Sequence, residues 1–230
     1  MNDGRVLWIT GASSGIGAAT ARLAATSGWR LVLAARSLDK LDALAAELGG
    51  PSRAVAVECD VTSWDDQQAA LTVALEHFGG LDAAWANAGF GAARSFLAET
   101  PEYWRDMVLT NVYGAALTIR AAFPALRESR GHLLLTGSVA GRRNPPGSLY
   151  SATKHAVHAM AESARQELNG TGVRVTVVAP GIVDTPFFAK TPLEAPLQPE
   201  DVARAVVWAL EQPPHVDVSE ILVRPTVQEL

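Results

Sequence analysis

Seven short apolar runs, at residues 6–9, 31–35, 54–57, 81–86, 132–136, 173–178 and 221–223, alternate along the chain with longer segments of helical periodicity. Strands separated by helices do not pair as hairpins; parallel neighbours need crossover connections, and these are right-handed. The expected fold is therefore α/β: a single-domain, Rossmann-type, doubly wound parallel sheet of about seven strands with helices on both faces. Strands in such a sheet are buried on both sides, which suits near-continuous apolar runs better than an in/out alternation. At 230 residues and 48% hydrophobic composition the chain can build one large core, so residues 1–230 are expected to form one domain. The Pro-rich stretch at 186–199 is too short and too close to the last helix to mark a boundary, and reads as a short lid.

Caps and stops delimit the helices. Ser37 precedes a stretch with Leu41, Leu44, Ala45 and Leu48 on one face, and Gly49-Gly50 stops it. Ser63 and Asp65 open a helix that ends near Gly79-Gly80. After Tyr150, the residues Ala156, Val157, Met160, Ala161, Ala164 and Leu168 recur at helical spacing as far as Asn169-Gly170.

Bulk properties exclude several classes of partner. The net charge is −5 and the arginines are scattered, which leaves no basic footprint for nucleic acid. Cys59 is the only cysteine, so an internal disulfide and a multi-cysteine metal site are both excluded; it reads as a small apolar residue ending a buried strand. Residues 1–5 run directly into the first strand without a charged leader and apolar core region, and no apolar run reaches membrane-spanning length. The expectation is a cytoplasmic protein with no metal site and no membrane or nucleic-acid partner.

The chemistry begins at Thr10-Gly11-Ala12-Ser13-Ser14-Gly15-Ile16-Gly17, which joins the first apolar run to a helix. Glycines let the backbone turn sharply and approach a ligand, while the first helical N–H groups supply positive potential for a pyrophosphate. The spacing GxxxGxG differs from GxGxxG, and a tight turn alone would use the same glycines. At the end of the second strand, Ala35 is neutral and Arg36 cationic, where a carboxylate would hold a ribose 2′-hydroxyl and an arginine a 2′-phosphate. NADP(H) is thus the expected coenzyme, with NAD(H) as the alternative. Tyr150 and Lys154 are four apart and share one face of a helix that begins at or just before the tyrosine. A phenol titrates near about 10, and an adjacent ammonium and a nicotinamide cation would both favour phenolate and lower that value, fitting the tyrosine for proton transfer. Ser138 follows the fifth strand, whose carboxyl end faces the crevice of the glycine loop, and its hydroxyl suits polarisation of a carbonyl.

In these motifs the chain resembles the classical short-chain dehydrogenase/reductase (SDR) family over essentially its whole length. Thr10 to Gly17 is similar to the cofactor motif, Asp60-Val61 to the adenine-side acidic segment, and Trp85-Ala86-Asn87-Ala88-Gly89 to the NNAG motif, with Ala86 in place of the first asparagine. Asn111-Val112-Tyr113-Gly114 resembles the segment that completes the catalytic tetrad, Gly137 to Gly141 the serine motif, and Pro180-Gly181-Ile182-Val183-Asp184-Thr185 the segment lining the nicotinamide. The resemblance implies that Tyr150 gives and takes the proton, Lys154 lowers its pKa and binds the nicotinamide ribose, Ser138 orients the reacting oxygen, and Asn111 holds a water linking Lys154 to solvent. It implies cofactor contacts from Gly11, Ser13, Ser14, Gly15, Ile16, Gly17, Arg36, Asp60, Val61, Asn87, Ala88, Gly89, Pro180, Gly181, Ile182, Val183 and Thr185, with Thr185 and the Ile182 backbone reaching the carboxamide. It further implies a homo-oligomer, tetramer or dimer, through helices around 104–126 and 152–168. The interval from Ser138 to Tyr150 is one residue shorter than the family's commonest spacing, and the loop Asn144-Pro145-Pro146-Gly147 absorbs that difference.

Phe90, Arg94, Val139, Arg142, Arg143, Leu149, Phe187 and Phe188 are candidate pocket walls for a small, partly apolar carbonyl or alcohol substrate. The segment 220–226 resembles family members acting on small 3-hydroxy acids. Two other readings stay open: an NADP(H)-sensing binding protein, which the intact Asn111, Ser138, Tyr150 and Lys154 disfavour, and an extended-type epimerase or dehydratase, which the GxxxGxG spacing and short length disfavour.

Overall fold

A computed structural model describes residues 4–188 and 191–228; Met1–Asp3, Ala189, Lys190, Glu229 and Leu230 lie outside the described residues, and with them the start of the N-terminal lead and part of the expected lid. The seven strands are β1 (Val6–Thr10), β2 (Arg30–Ala35), β3 (Ala54–Glu58), β4 (Ala83–Ala86), β5 (His132–Thr136), β6 (Arg174–Pro180) and β7 (Glu220–Val223). They form one parallel sheet in the order β3-β2-β1-β4-β5-β6-β7. The order reverses between β1 and β4, so the chain leaves these neighbours in opposite directions and opens a crevice above their carboxyl ends. The doubly wound, Rossmann-like sheet expected from the alternation of strands and helices is the fold observed.

Alternate residues of each strand serve opposite faces. Val6 and Trp8 of β1 enter a core with α3 (Trp64–Phe78), α5 (Ala115–Ser129) and α6 (Leu149–Glu167). Leu7 and Ile9 enter a second core with α1 (Gly15–Thr26), α2 (Leu38–Glu47) and α7 (Pro199–Leu210). Cys59 is buried in the first core, where burial pushes its thiol up to about 12, and it is a packed hydrophobe.

Several boundaries differ from the sequence expectation for identifiable reasons. Strand β4 starts at Ala83 rather than Leu81 because Asp82 serves the sheet edge-on, its carboxylate accepting from Val6 N at 2.7 Å and its carbonyl from His132 N at 2.9 Å. Ser37 stands at the N-cap of α2, but its side chain makes no capping hydrogen bond. Ser63 does cap α3, accepting from Asp66 N, and Gly79 closes that helix in the left-handed region at φ 84°. The helical stretch expected around 104–126 is two helices, α4 (Pro101–Val108) and α5, joined by a π-helical turn at Leu109–Gly114. Between β6 and α7 the chain makes an excursion whose base is clamped: Asp184 N donates to Leu197 O at 2.8 Å and Leu197 N to Ile182 O at 3.0 Å.

Candidate active site

Gly11 and Gly15 lie in the left-handed region, at φ 68° and 52°, so the loop after β1 takes a path that side chains with a Cβ rarely adopt. A Cβ on Gly17 would fall 2.3 Å from Gly11 O, and one on Gly11 would fall 2.9 Å from Ala88 Cα. Those glycines pack the loop tightly against the 87–89 segment. Ser14 N-caps α1 without spending its hydroxyl on the helix, and the first turn carries no acidic residue. Together these leave uncapped N–H groups and a helix dipole facing the crevice, a cradle suited to a pyrophosphate.

That cradle forms one wall of a cleft of about 1430 Å³. Every expected catalytic and cofactor residue except Asn111 lines it: Gly11, Ser13, Ser14, Gly15, Ile16, Gly17, Arg36, Asp60, Val61, Asn87, Ala88, Gly89, Ser138, Tyr150, Lys154, Pro180, Gly181, Ile182, Val183 and Thr185. Beside the cradle, just after β2, Arg36 has no ion pair within 4.0 Å among the described residues, while Glu58, Asp60 and Asp66 share the surface beside it. Asp60 Oδ1 accepts from Thr62 N at 2.9 Å and Thr62 Oγ1 at 2.8 Å. Those bonds, backbone first, and then the Arg36 charge hold its carboxyl below the usual range. Asn87 is held on both sides, Nδ2 donating to Thr10 O at 3.0 Å and Oδ1 accepting from Thr136 Oγ1 at 3.0 Å.

At the other end, Ser138 follows β5 and Tyr150 and Lys154 lie in the first turns of α6, which starts one residue before the tyrosine. Lys154 Nζ donates to Thr136 O at 2.7 Å and stands 5.7 Å from the Tyr150 ring centroid. The protein alone does not produce the lowered phenol pKa expected from sequence. Burial pushes Tyr150 up to about 12, opposed by the Ser138 hydroxyl, and burial brings Lys154 down to about 8. For the phenol, desolvation is the larger of the two causes and outweighs the Ser138 hydrogen bond. At neutral pH the phenol is protonated.

Two expected pocket walls, Arg142 and Leu149, lie elsewhere, and hydrogen bonds fix the surroundings of Asn111 and Ile182. Asn111 does not face the cleft: it is buried in the π-helical turn, where its side chain accepts from Phe90 N at 3.0 Å and donates to Phe90 O at 2.8 Å and Thr153 Oγ1 at 3.1 Å. Arg142 is no pocket wall, because its guanidinium pairs with Glu220, and Leu149 likewise does not line the cleft. The Ile182 N–H is taken by Gln228 Oε1 at 2.8 Å and the Asp184 N–H by Leu197 O, whereas no acceptor among the described residues takes the Val183 N–H. Phe90, Arg94, Val139, Arg143, Phe187 and Phe188 do line the cleft. Phe187 packs edge-on to Tyr150 at 5.5 Å and closes over Gly91, where a Cβ would meet its ring at 2.4 Å.

The family model for short chain dehydrogenase matches residues 5–195. The chain belongs to the short-chain dehydrogenase family. Dehydrogenase/reductase SDR family member 11 of Mus musculus is 37% identical to it over 97% of this chain and 95% of its own length. Among solved structures, an alcohol dehydrogenase from the archaeon Thermococcus sibiricus complexed with 5-hydroxy-NADP is similar at TM-score 0.91 and 33% identity, covering 98% of each chain. A closed form of serine dehydrogenase complexed with NADP+ is similar at TM-score 0.90 and 28% identity, covering 98% of this chain and 96% of its own. This short-chain dehydrogenase is accordingly an NAD(P)-dependent oxidoreductase acting on a small molecule.

Sequence reasoning missed two side chains that shape the site. His158 fills the space where Cβ atoms on Gly137 and Gly141 would fall 2.5 and 2.6 Å from its ring, so both neighbours of the Ser138 turn must be glycine. Desolvation first, then the Arg142 charge, push its imidazole down to about 4, and its Nδ1 lies 3.7 Å from Glu220. The other is Gln228, beyond the region of the family match. No spacing rule links either residue to Ser138 or Ile182; only the contact of α6 and the C-terminal segment with the β5 and β6 loops does. Among the described residues no helix is long and apolar enough to cross a membrane, and no group of three or more His, Cys, Asp or Glu is placed to hold a metal ion.

Proposed function

We propose that this short-chain dehydrogenase transfers hydride between NADP(H) and a small carbonyl or secondary-alcohol substrate, with Tyr150 as the proton donor and acceptor. The observation that carries the reading is the meeting of Ser138, Tyr150 and Lys154 in the same cleft as the glycine cradle. The bound coenzyme supplies or accepts the hydride at its nicotinamide ring. The cradle of Gly11, Ser13, Ser14, Gly15, Ile16 and Gly17 would hold its pyrophosphate, Asp60 and Val61 its adenine, and Asn87, Ala88 and Gly89 its central ribose region. Pro180, Gly181, Ile182, Val183 and Thr185 would floor the nicotinamide, with the Val183 N–H rather than that of Ile182 as the backbone donor available to the carboxamide.

In the reducing direction Ser138 Oγ donates a hydrogen bond to the substrate oxygen. Among the described residues it donates to Pro180 O at 3.4 Å, a long bond that is easily given up. Tyr150 then gives its proton to that oxygen, so the carbonyl carbon gains hydride and the oxygen gains the proton, yielding the alcohol. Lys154, brought down to about 8, exchanges protons near neutral pH and restores the phenol. Asn111 acts from behind the wall, fixing the Phe90 backbone and Thr153 next to Lys154. In oxidation the same atoms run in reverse.

Arg36 supports NADP(H) over NAD(H), since a guanidinium suits a 2′-phosphate and two structural neighbours hold NADP-type ligands. Phe90, Val139, Phe187 and Phe188 suit a partly apolar substrate. Phe187, packed against Tyr150, covers the reacting end of the cleft. Arg143, in the same lining, suits a substrate carboxylate, in keeping with a neighbour named for serine, a small hydroxy acid. NADPH consumption across aldehydes, ketones, diketones and 3-oxo acids tests the proposal. Turnover of at least one class is expected, whereas tight NADPH binding with no turnover anywhere would favour the sensing protein.

A further inference from the structure

The C-terminal segment returns to the nicotinamide end of the cleft. Gly181 N donates to Val223 O at 2.7 Å, and five residues later Gln228 Oε1 accepts from Ile182 N at 2.8 Å. Between these points the chain turns tightly: Gln228 N donates to Pro225 O at 3.0 Å, and the Arg224 guanidinium bonds to Gln228 O. The fit is close, because a Cβ on Gly181 would fall 2.3 Å from Gln228 Oε1 and 2.9 Å from Arg224 Cβ. Gln228 also lines the cleft.

A backbone N–H can be met only by the amide oxygen of a glutamine, which fixes the orientation of the Gln228 side chain. The bond closes the segment on the residue immediately before Val183. With Ile182 N taken by Gln228 and Asp184 N by Leu197 O, Val183 is held between two anchored neighbours and its own N–H is the one left over. We infer that Gln228 is a positioning residue for the coenzyme: by occupying the Ile182 N–H it fixes the Gly181–Thr185 backbone so that the Val183 N–H and Thr185 are presented together. This rests on reading the cleft as a dinucleotide site. It places a determinant of nicotinamide binding in a segment outside the family match.

The test uses the full chain with Gln228→Met, which keeps the length and removes the acceptor, and Gln228→Glu, which keeps an acceptor oxygen. Hydrogen exchange of a peptide spanning residues 180–185 is followed in the ligand-free protein, and NADPH dissociation constants are measured by quenching of tryptophan fluorescence. Gln228→Met is expected to speed exchange at Ile182 and weaken NADPH binding by about fivefold to tenfold, the size of one net hydrogen bond, with an unchanged ligand-free melting temperature. Gln228→Glu is expected to return both readings to within about twofold of wild type. Unchanged exchange in Gln228→Met, unchanged NADPH affinity despite faster exchange, or failure of Gln228→Glu to rescue would each overturn the inference. Wild-type protein that binds neither NADPH nor NADH would remove the dinucleotide reading itself, and the inference with it; that failure is seen before any variant is made.

Discussion

Arg36 is the cation proposed to favour NADP(H) over NAD(H), and three carboxylates, Glu58, Asp60 and Asp66, share its surroundings. Arg36→Ala is expected to weaken NADPH binding by about 1.5–3 kcal/mol, the usual range for a hydrogen bond to a charged group, and to change NADH binding little. Paired dissociation constants at fixed ionic strength check this, because the contact is partly screened; equal losses for both coenzymes would make Arg36 structural. Lys154 allows a second test through pH. Its folded value of about 8 lies below the ordinary lysine value of 10.5, so between those limits the unfolded chain binds more protons than the folded one, and stability contributed at this site rises with pH. Denaturant unfolding of the ligand-free protein should therefore show wild type gaining on Lys154→Met as pH is raised from about 8 to about 10, with no such gain between about 6 and 7. Above about 10 the raised Tyr150 value acts in the opposite sense, since the unfolded phenol ionises first. At this scale the sequence was legible where chemistry depends on residue type and local spacing: Tyr150, Lys154, Ser138 and the glycine loop. The balance of burial against charge that leaves Tyr150 protonated, the sequestration of Asn111, and the partnership of Gln228 with Ile182 were not legible, because each depends on what folds on top of the residue.

Helix and loop junctions set the precision of the site. Gly17→Ala would drive a Cβ to 2.3 Å from the Gly11 carbonyl, a backbone atom with no room to move without reshaping the cradle. The expected cost is about 1–3 kcal/mol of stability together with a loss of dinucleotide affinity, measurable by denaturant titration and ligand binding on the same preparation. An alanine that fits without either loss would show that the loop is looser than its geometry. Strand positions were readable from apolar runs because both faces of a parallel sheet are buried. Strand ends were read less well wherever one polar residue decides them, as Asp82 does for β4. The π-helical turn at Leu109–Gly114 has no signature in apolar periodicity, yet it is what turns Asn111 inward to bond Phe90 and Thr153.

For the whole molecule, the order β3-β2-β1-β4-β5-β6-β7 brings residues as distant as Gly15, Ser138 and Gln228 to one end of a single sheet. The topology was legible because alternating strands and helices admit few arrangements; how the C-terminal segment would dock was not, since no local pattern directs it. Val108 and Tyr113 are exposed at the end of α4 and in the π-helical turn, within the region expected to meet a second copy. Light scattering should accordingly give a multiple of 24.3 kDa at micromolar concentration, and a monomer mass alone would rule the oligomer out. The central claim is that this cleft performs oxidoreduction with Tyr150 moving the proton. Its most direct test is the turnover of NADPH by wild type and Tyr150→Phe on one confirmed carbonyl substrate, with NADPH binding measured alongside. In Tyr150→Phe, kcat is expected to fall by about 10²–10⁴-fold at nearly unchanged coenzyme affinity, because one proton-transferring oxygen is lost and the ring is kept. Wild-type turnover by Tyr150→Phe would contradict it.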